Sequence, residues 1–170
     1  MEKRLTLSEI STQVYKLAEK ISAPNDMLPS FGHPTGIGQT HIEVDSSGYH
    51  YVKQERREFS RQTTLELDER LYWIFKSVTL NLAIKYELSH RVENKDSRRI
   101  MYPYQTELLS KLSPDWGKHI MREHEERLRE HPFDDYASSR ATLIRNLISQ
   151  GHSRAEAESI AREKYPKSEK

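Results

Sequence analysis

Residues 67–91, LDERLYWIFKSVTLNLAIKYELSHR, decide the fold of this chain. Leu67, Leu71, Ile74, Phe75, Val78, Leu82 and Tyr86 recur at helical spacing and form one continuous stripe. Tyr72, Trp73, Leu80, Ile84 and Leu88 cover much of the remaining circumference. A helix apolar nearly all round is expected to be buried on several sides. At about 1.5 Å per residue it spans roughly 35–40 Å, the width of a domain of this size. Thr63-x-x-Glu66 reads as its capping box, with Asp68 and Glu69 placing negative charge in the first turn. Trp73 is expected to lie largely buried between this helix's sheet partner and another helix.

That sheet partner is the segment before it. In THIEVDSSGYHYV, residues 40–52, a turn at Asp45-Ser46-Ser47-Gly48 sets Val44 opposite Tyr49 and Ile42 opposite Tyr51. This apolar face is expected to pack on the long helix, leaving His41, Glu43, His50 and Val52 on a solvent face. RREFSRQTT, residues 56–64, is expected to return as a third strand.

Helices flank this centre. Leu7, Ile10, Val14, Leu17, Ala18 and Ile21 predict an amphipathic helix over 6–22, boxed by Thr6 and Glu9 and ended by Pro24. Residues 23–39 hold three prolines and three glycines and are expected to form no regular element. Their glycines invite a phosphate-loop reading, but the Gly-Lys-Ser/Thr ending is missing. After the polar connection 93–99, IMYPYQTELLSKL predicts a helix with Pro103 in its first turn, since a mid-helix proline costs about 3 kcal/mol. Ser113-Pro114-Asp115-Trp116 opens another, running to about Glu130 with a mostly solvated second half. Two short helices follow, the first closed by Gly151 and the second opened by Ser153-x-x-Glu156.

The fold class this implies is α+β: a predominantly helical single domain whose long central helix packs on a hairpin or three-stranded meander. Residues 1–135 read as the domain and 136–170 as a helix-pair appendage. Composition narrows the function classes. Net charge is +1 and no cysteine is present, so disulfides and thiolate chemistry are excluded. The N-terminus is amphipathic without an apolar run, and no window approaches the roughly 20 apolar residues of a membrane span. A cytoplasmic protein is expected.

Candidate sites are few. His41, Glu43 and His50 could hold Zn²⁺, which would make a small metal-dependent enzyme; the ordinary alternative is a cross-strand Glu43–His50 pair. His119, His124 and His131 are spaced five and seven apart, unlike a His-Glu-x-x-His site, and read as part of a solvated charge run. Glu87 is the carboxylate closest to an apolar setting, and Arg91 four residues on is its expected partner. The C-terminal helix pair could be a helix-turn-helix nucleic-acid binder, but its second helix carries as many acids as bases. No nucleophile elbow is present.

A resemblance adds what these residues do not. Gly48-Tyr49-His50-Tyr51, Asp68-Glu69-x-x-Tyr72-Trp73, Tyr86-Glu87-Leu88-x-His90-Arg91, Arg98-Arg99 and Leu112-Ser113-Pro114-x-Trp116 occur in order over residues 40–135. Together they resemble the immunity protein 63 family of bacterial polymorphic toxin systems. The resemblance implies a non-enzymatic protein without cofactor that binds and neutralises a cognate toxin domain stoichiometrically. Strong acidity, as used to mimic nucleic acid, is absent; the acidic stretch is Glu123 to Asp135. Exposed aromatics and Arg beside acids would supply partner anchors. The expected partner-binding residues are His41, Glu43, His50, Arg98, Arg99 and Tyr102.

Overall fold

A computed structural model describes residues 4–36, 39–55 and 58–167. Its elements are helix α1 (Leu7–Lys20), a single 3-10 turn (Asn25–Met27), strands β1 (Ser30–Phe31), β2 (His41–Asp45), β3 (Gly48–Glu55) and β4 (Glu58–Thr64), then helices α2 (Leu67–His90), α3 (Arg98–Leu112), α4 (Pro114–Glu130), α5 (Ala137–Ser149) and α6 (Arg154–Lys164). The fold is α+β and mostly helical, with one mixed sheet ordered β1-β2-β3-β4. The chain packs as two units, Met1–Leu82 with Gln105–Ile120, and Ala83–Tyr104 with Met121–Lys170.

In the first unit the hairpin register is the expected one, Val44 opposite Tyr49 and Ile42 opposite Tyr51. The third strand forms as β4, although Arg56 and Arg57 at its expected start lie outside the described residues. Ile10, Val14 and Ala18 of α1 are buried, as are Ile42, Tyr49, Ile74, Phe75, Val78, Leu108, Leu109, Trp116 and Ile120. Thr6 and Glu9 make the expected capping box on α1. At α4 the Ser113-Pro114 start and the Glu130 end also hold. Trp116 Nε1 donates to Asp68 Oδ2 at 3.0 Å, and Gly117 lets α4 approach α3, because a Cβ there would stand 2.9 Å from Ser110 Cβ.

Five expectations change. Residues 23–39 are not irregular throughout: Ser30 and Phe31 pair in parallel with His41 and Ile42, and Phe31 lies 6.3 Å from the Tyr15 ring. The Thr63-x-x-Glu66 box does not form at the α2 start: the Thr63 hydroxyl bonds His50, while the Thr64 hydroxyl accepts from Glu66 N in the turn before the helix and donates to Glu69. α3 begins five residues upstream of Pro103, because the Asp96 carboxylate accepts from the Arg98 amide and caps it. Pro103 is exposed there, so the Arg99 carbonyl it deprives of a donor can turn to water.

The other two concern α2. Trp73 is half-buried, not largely buried, and the fully buried Arg70 guanidinium lies 5.3 Å from its ring and 5.5 Å from Tyr51. Burial lowers the Arg70 pKa to about 10. Nor is α2 buried all round: Leu80, Ile84 and Leu88 are 38%, 38% and 59% exposed. Apolar residues on every face of a helix do not require a partner on every face.

In the second unit the rings of His90, Tyr86 and Tyr104 stack in series at 3.9 and 4.0 Å. The expected helix pair forms as α5 and α6, which pack on one another, and Ala157 and Ala161 of α6 are fully buried. Gly151, at φ 96°, closes α5 in a Schellman turn with His152 N on Leu147 O and Gly151 N on Ile148 O. Ser153 and Glu156 box the start of α6.

Candidate partner-binding surfaces

The outer face of the sheet carries His41, Glu43 and Asp45 on β2, His50 on β3, and Arg61 and Thr63 on β4. Strand alternation puts all six on one side. They form a continuous polar chain. His41 Nε2 lies 3.0 Å from Glu43 Oε1, Arg61 Nη2 lies 3.5 Å from Glu43 Oε2 and 3.2 Å from Asp45 Oδ2, and Asp45 Oδ1 lies 2.8 Å from His50 Nε2. His50 Nδ1 lies 2.9 Å from the Thr63 hydroxyl. A carboxylate only accepts, so in neutral His50 the Nε2 proton donates to Asp45 and Nδ1 accepts from Thr63.

The expected trio is therefore brought together, but the two imidazoles do not face solvent. His41 is 5% exposed and His50 1%. Each lies beneath the more exposed carboxylate it bonds, Glu43 at 36% and Asp45 at 49%. Nor do Glu43 and His50 pair, although their backbones are opposite; His50 takes Asp45 instead. The turn residue Ser47 first, then His50, hold the Asp45 carboxyl well below the usual carboxylate range. Among the described residues no group of three or more His, Asp or Glu is arranged to hold a metal ion.

The second surface lies in the other unit, where the α2–α3 connection meets residues 131–135. Asp96 is its hub. Its carboxylate accepts from the Arg98 amide at 3.0 Å, from Arg98 Nε and Nη2 at 3.0 and 2.7 Å, and from the Asp134 amide at 2.9 Å. Arg98 also donates to the carbonyls of His131 and Pro132. Arg99 grips Asp135 at 2.7 Å and lies 4.1 Å over the Phe133 ring, while Asp135 accepts from the Asp96 amide. Tyr102 stacks on His124 at 3.8 Å, and His124 is buried rather than part of a solvated run. Glu87 is buried and holds Arg91 through two 2.8 Å bonds, as expected. Thus Arg98, Arg99 and Tyr102 come together, each in an internal contact.

Beside this clamp lies a cleft of about 730 Å³, walled by residues 91–98 with Glu87 on one side and by Asp134 and residues 137–139 on the other. Asn94, at φ 55°, turns its side chain to accept from the Ser139 hydroxyl at 2.7 Å. Asp134 pairs with the buried Arg140, which donates also to the Tyr165 carbonyl. Sequence reading missed Asp96, Asp134, Asp135 and Arg140. An Asp just ahead of a helix start, as in Lys95-Asp96-Ser97-Arg98, is the one local signal that was available.

The clamp predicts an acid response. The Arg99 side chain first, then the Asp96 amide, lower the Asp135 pKa from 3.8 to about 2. For Asp96, burial pushes the carboxyl up, but bonds from the Arg98 side chain and the Asp134 and Arg98 amides outweigh it and leave it low. A carboxyl depressed in the folded state contributes stability that is present above its unfolded pKa, about 4, and lost as pH falls through the folded one. Melting temperature should therefore drop between about pH 4 and pH 2. In Arg99→Gln the drop should be shallower; parallel curves for the two proteins would count against the pairing.

Comparison with known proteins agrees with the pattern of motifs. A family model described as immunity protein 63 matches residues 45–126. No curated protein and no solved structure matches the chain. The match covers the hairpin turn, β3, β4, α2, α3 and most of α4, and leaves α1, α5 and α6 outside it. Over residues 45–126, the centre of the resemblance read from the sequence, the chain is thus similar to the immunity protein 63 family.

Proposed function

We propose that this chain is a non-enzymatic immunity protein that binds a cognate bacterial toxin domain stoichiometrically and blocks it, acting in the cytoplasm of the cell that makes the toxin. The family match over residues 45–126 is the observation that carries this reading. Two structural features support it. The buried carboxylate Glu87 is neutralised by Arg91 rather than held for proton transfer, and the polar side chains of both surfaces bond mainly to one another. No helix among the described residues is long and apolar enough to cross a membrane.

The proposed contacts fall on the sheet's outer face and on the α2–α3 connection. Of the six expected residues, Glu43 and Arg99 present the most accessible charge, with side chains 36% and 43% exposed. His41 and His50 act from beneath by orienting Glu43 and Asp45, while Arg98 and Tyr102 hold the connection in shape. Asp45 and Arg61 join the surface as further charged contacts.

Co-expression with the toxin gene adjacent to this one tests the reading. Growth should be rescued and a 1:1 complex should be recovered. Failure of rescue with no complex detected would overturn it.

A further inference from the structure

We infer that the free edge of β4 is a dimer interface, on which a second copy of this chain adds its own β4 in antiparallel and joins the two sheets into one. Such a dimer is independent of the immunity reading.

The two edges of the sheet are built differently. β1 ends one side with only Ser30 and Phe31, too short to template another strand. β4 ends the other with seven residues, EFSRQTT, in unbroken register with β3 and without bulge, proline or lysine. Short length, bulges, proline and lysine are the devices that keep edges from pairing. The Thr64 carbonyl points towards β3, since a Cβ on Gly48 would stand 2.6 Å from it. Alternation then turns the backbones of Thr64, Gln62 and Ser60 to β3 and leaves the amides and carbonyls of Phe59, Arg61 and Thr63 on the open edge. No group among the described residues bonds them. Residues 59–63 are exposed on both faces, so neither layer overhangs the edge. Nor does Arg61 guard it. Its guanidinium reaches back across β3 to Glu43 and Asp45 on β2, at 3.5 and 3.2 Å.

This edge is complementary to itself. Phe59 and Leu65, at 70% and 66%, are the most exposed large apolar side chains among the described residues, and they lie at opposite ends of the strand. Setting Arg61 opposite its own copy would bring like charges together and leave Leu65 outside. Setting Gln62 opposite its own copy instead places Arg61 against Thr63, and Phe59 against Leu65, at both ends. The Arg61 and Thr63 backbones then exchange hydrogen bonds in both directions, and the two apolar pairs leave water. The two-fold also closes an edge that would otherwise recruit further strands.

Sedimentation of the full chain over a range of concentrations should show a reversible monomer–dimer equilibrium. Hydrogen exchange at the Arg61 and Thr63 amides should slow as the dimer fills. Phe59→Lys with Leu65→Lys sets like charges against each other at both ends and should abolish the dimer. Phe59→Lys with Leu65→Glu sets opposite charges there and should restore it. Both positions are exposed, so each double variant should keep the wild-type circular dichroism. A wild type that stays monomeric, amides that exchange at one rate at every concentration, or double variants that associate alike would overturn the proposal. A monomeric wild type whose double-lysine variant loses the toxin complex would also overturn it, and would give the edge to a strand of the toxin.

Discussion

Asp96→Ala should destabilise the protein by about 3–5 kcal/mol, the usual cost of removing one partner of a buried ion pair. The Asp96 side chain is 8% exposed and accepts from four donors at once. Without it the Arg98 guanidinium keeps the His131 and Pro132 carbonyls but loses its counter-charge, and the Asp134 amide loses its acceptor. The cap on α3 goes with it. Asp96→Asn keeps the shape and part of the bonding, and should cost less, about 1–2 kcal/mol. Urea unfolding measures both; the midpoint should fall with little change in slope. A loss below about 1 kcal/mol for the alanine variant would mean that solvent already screens the cluster.

That cluster shows where sequence reading stops. Helix ends and hairpin register are local: Thr6 with Glu9, Ser113 with Pro114, Ser153 with Glu156 and the Asp45–Gly48 turn each depend on residues within a few positions. They were legible because their chemistry is complete in a short window. The clamp is not. Arg98 finds its carbonyls 33 and 34 residues away, and Asp96 meets the Asp134 amide 38 residues on. No periodicity announces such pairs, so Arg98 and Arg99 read as free charge when their donors are engaged. The outer sheet face failed differently. Alternation placed His41, Glu43 and His50 on one side correctly, but exposure depends on the lengths of neighbouring side chains. Asp45 and Arg61 share that face, and the Asp45 carboxylate takes His50, while Arg61 lies within reach of both Asp45 and Glu43.

The family motif around Trp116 makes the complementary case, and Trp116→Ala should cost about 3–5 kcal/mol. An exposed-aromatic reading of Leu112-Ser113-Pro114-x-Trp116 would make the indole a partner anchor, since Trp is enriched at binding hot spots. Here it is 5% exposed, 6.2 Å from both the Tyr72 and Phe75 rings, with its N–H on Asp68. The loss therefore falls on folding and not on recognition. Trp116→Phe should recover most of the apolar contact and forfeit the Asp68 bond, costing about 1 kcal/mol beyond the change in size. Against a typical domain stability of about 5–15 kcal/mol, the alanine variant should unfold well below the wild type and, if the proposed function holds, still rescue growth at low temperature. A variant that keeps its melting temperature but loses rescue would reverse the assignment and move Trp116 to the binding surface.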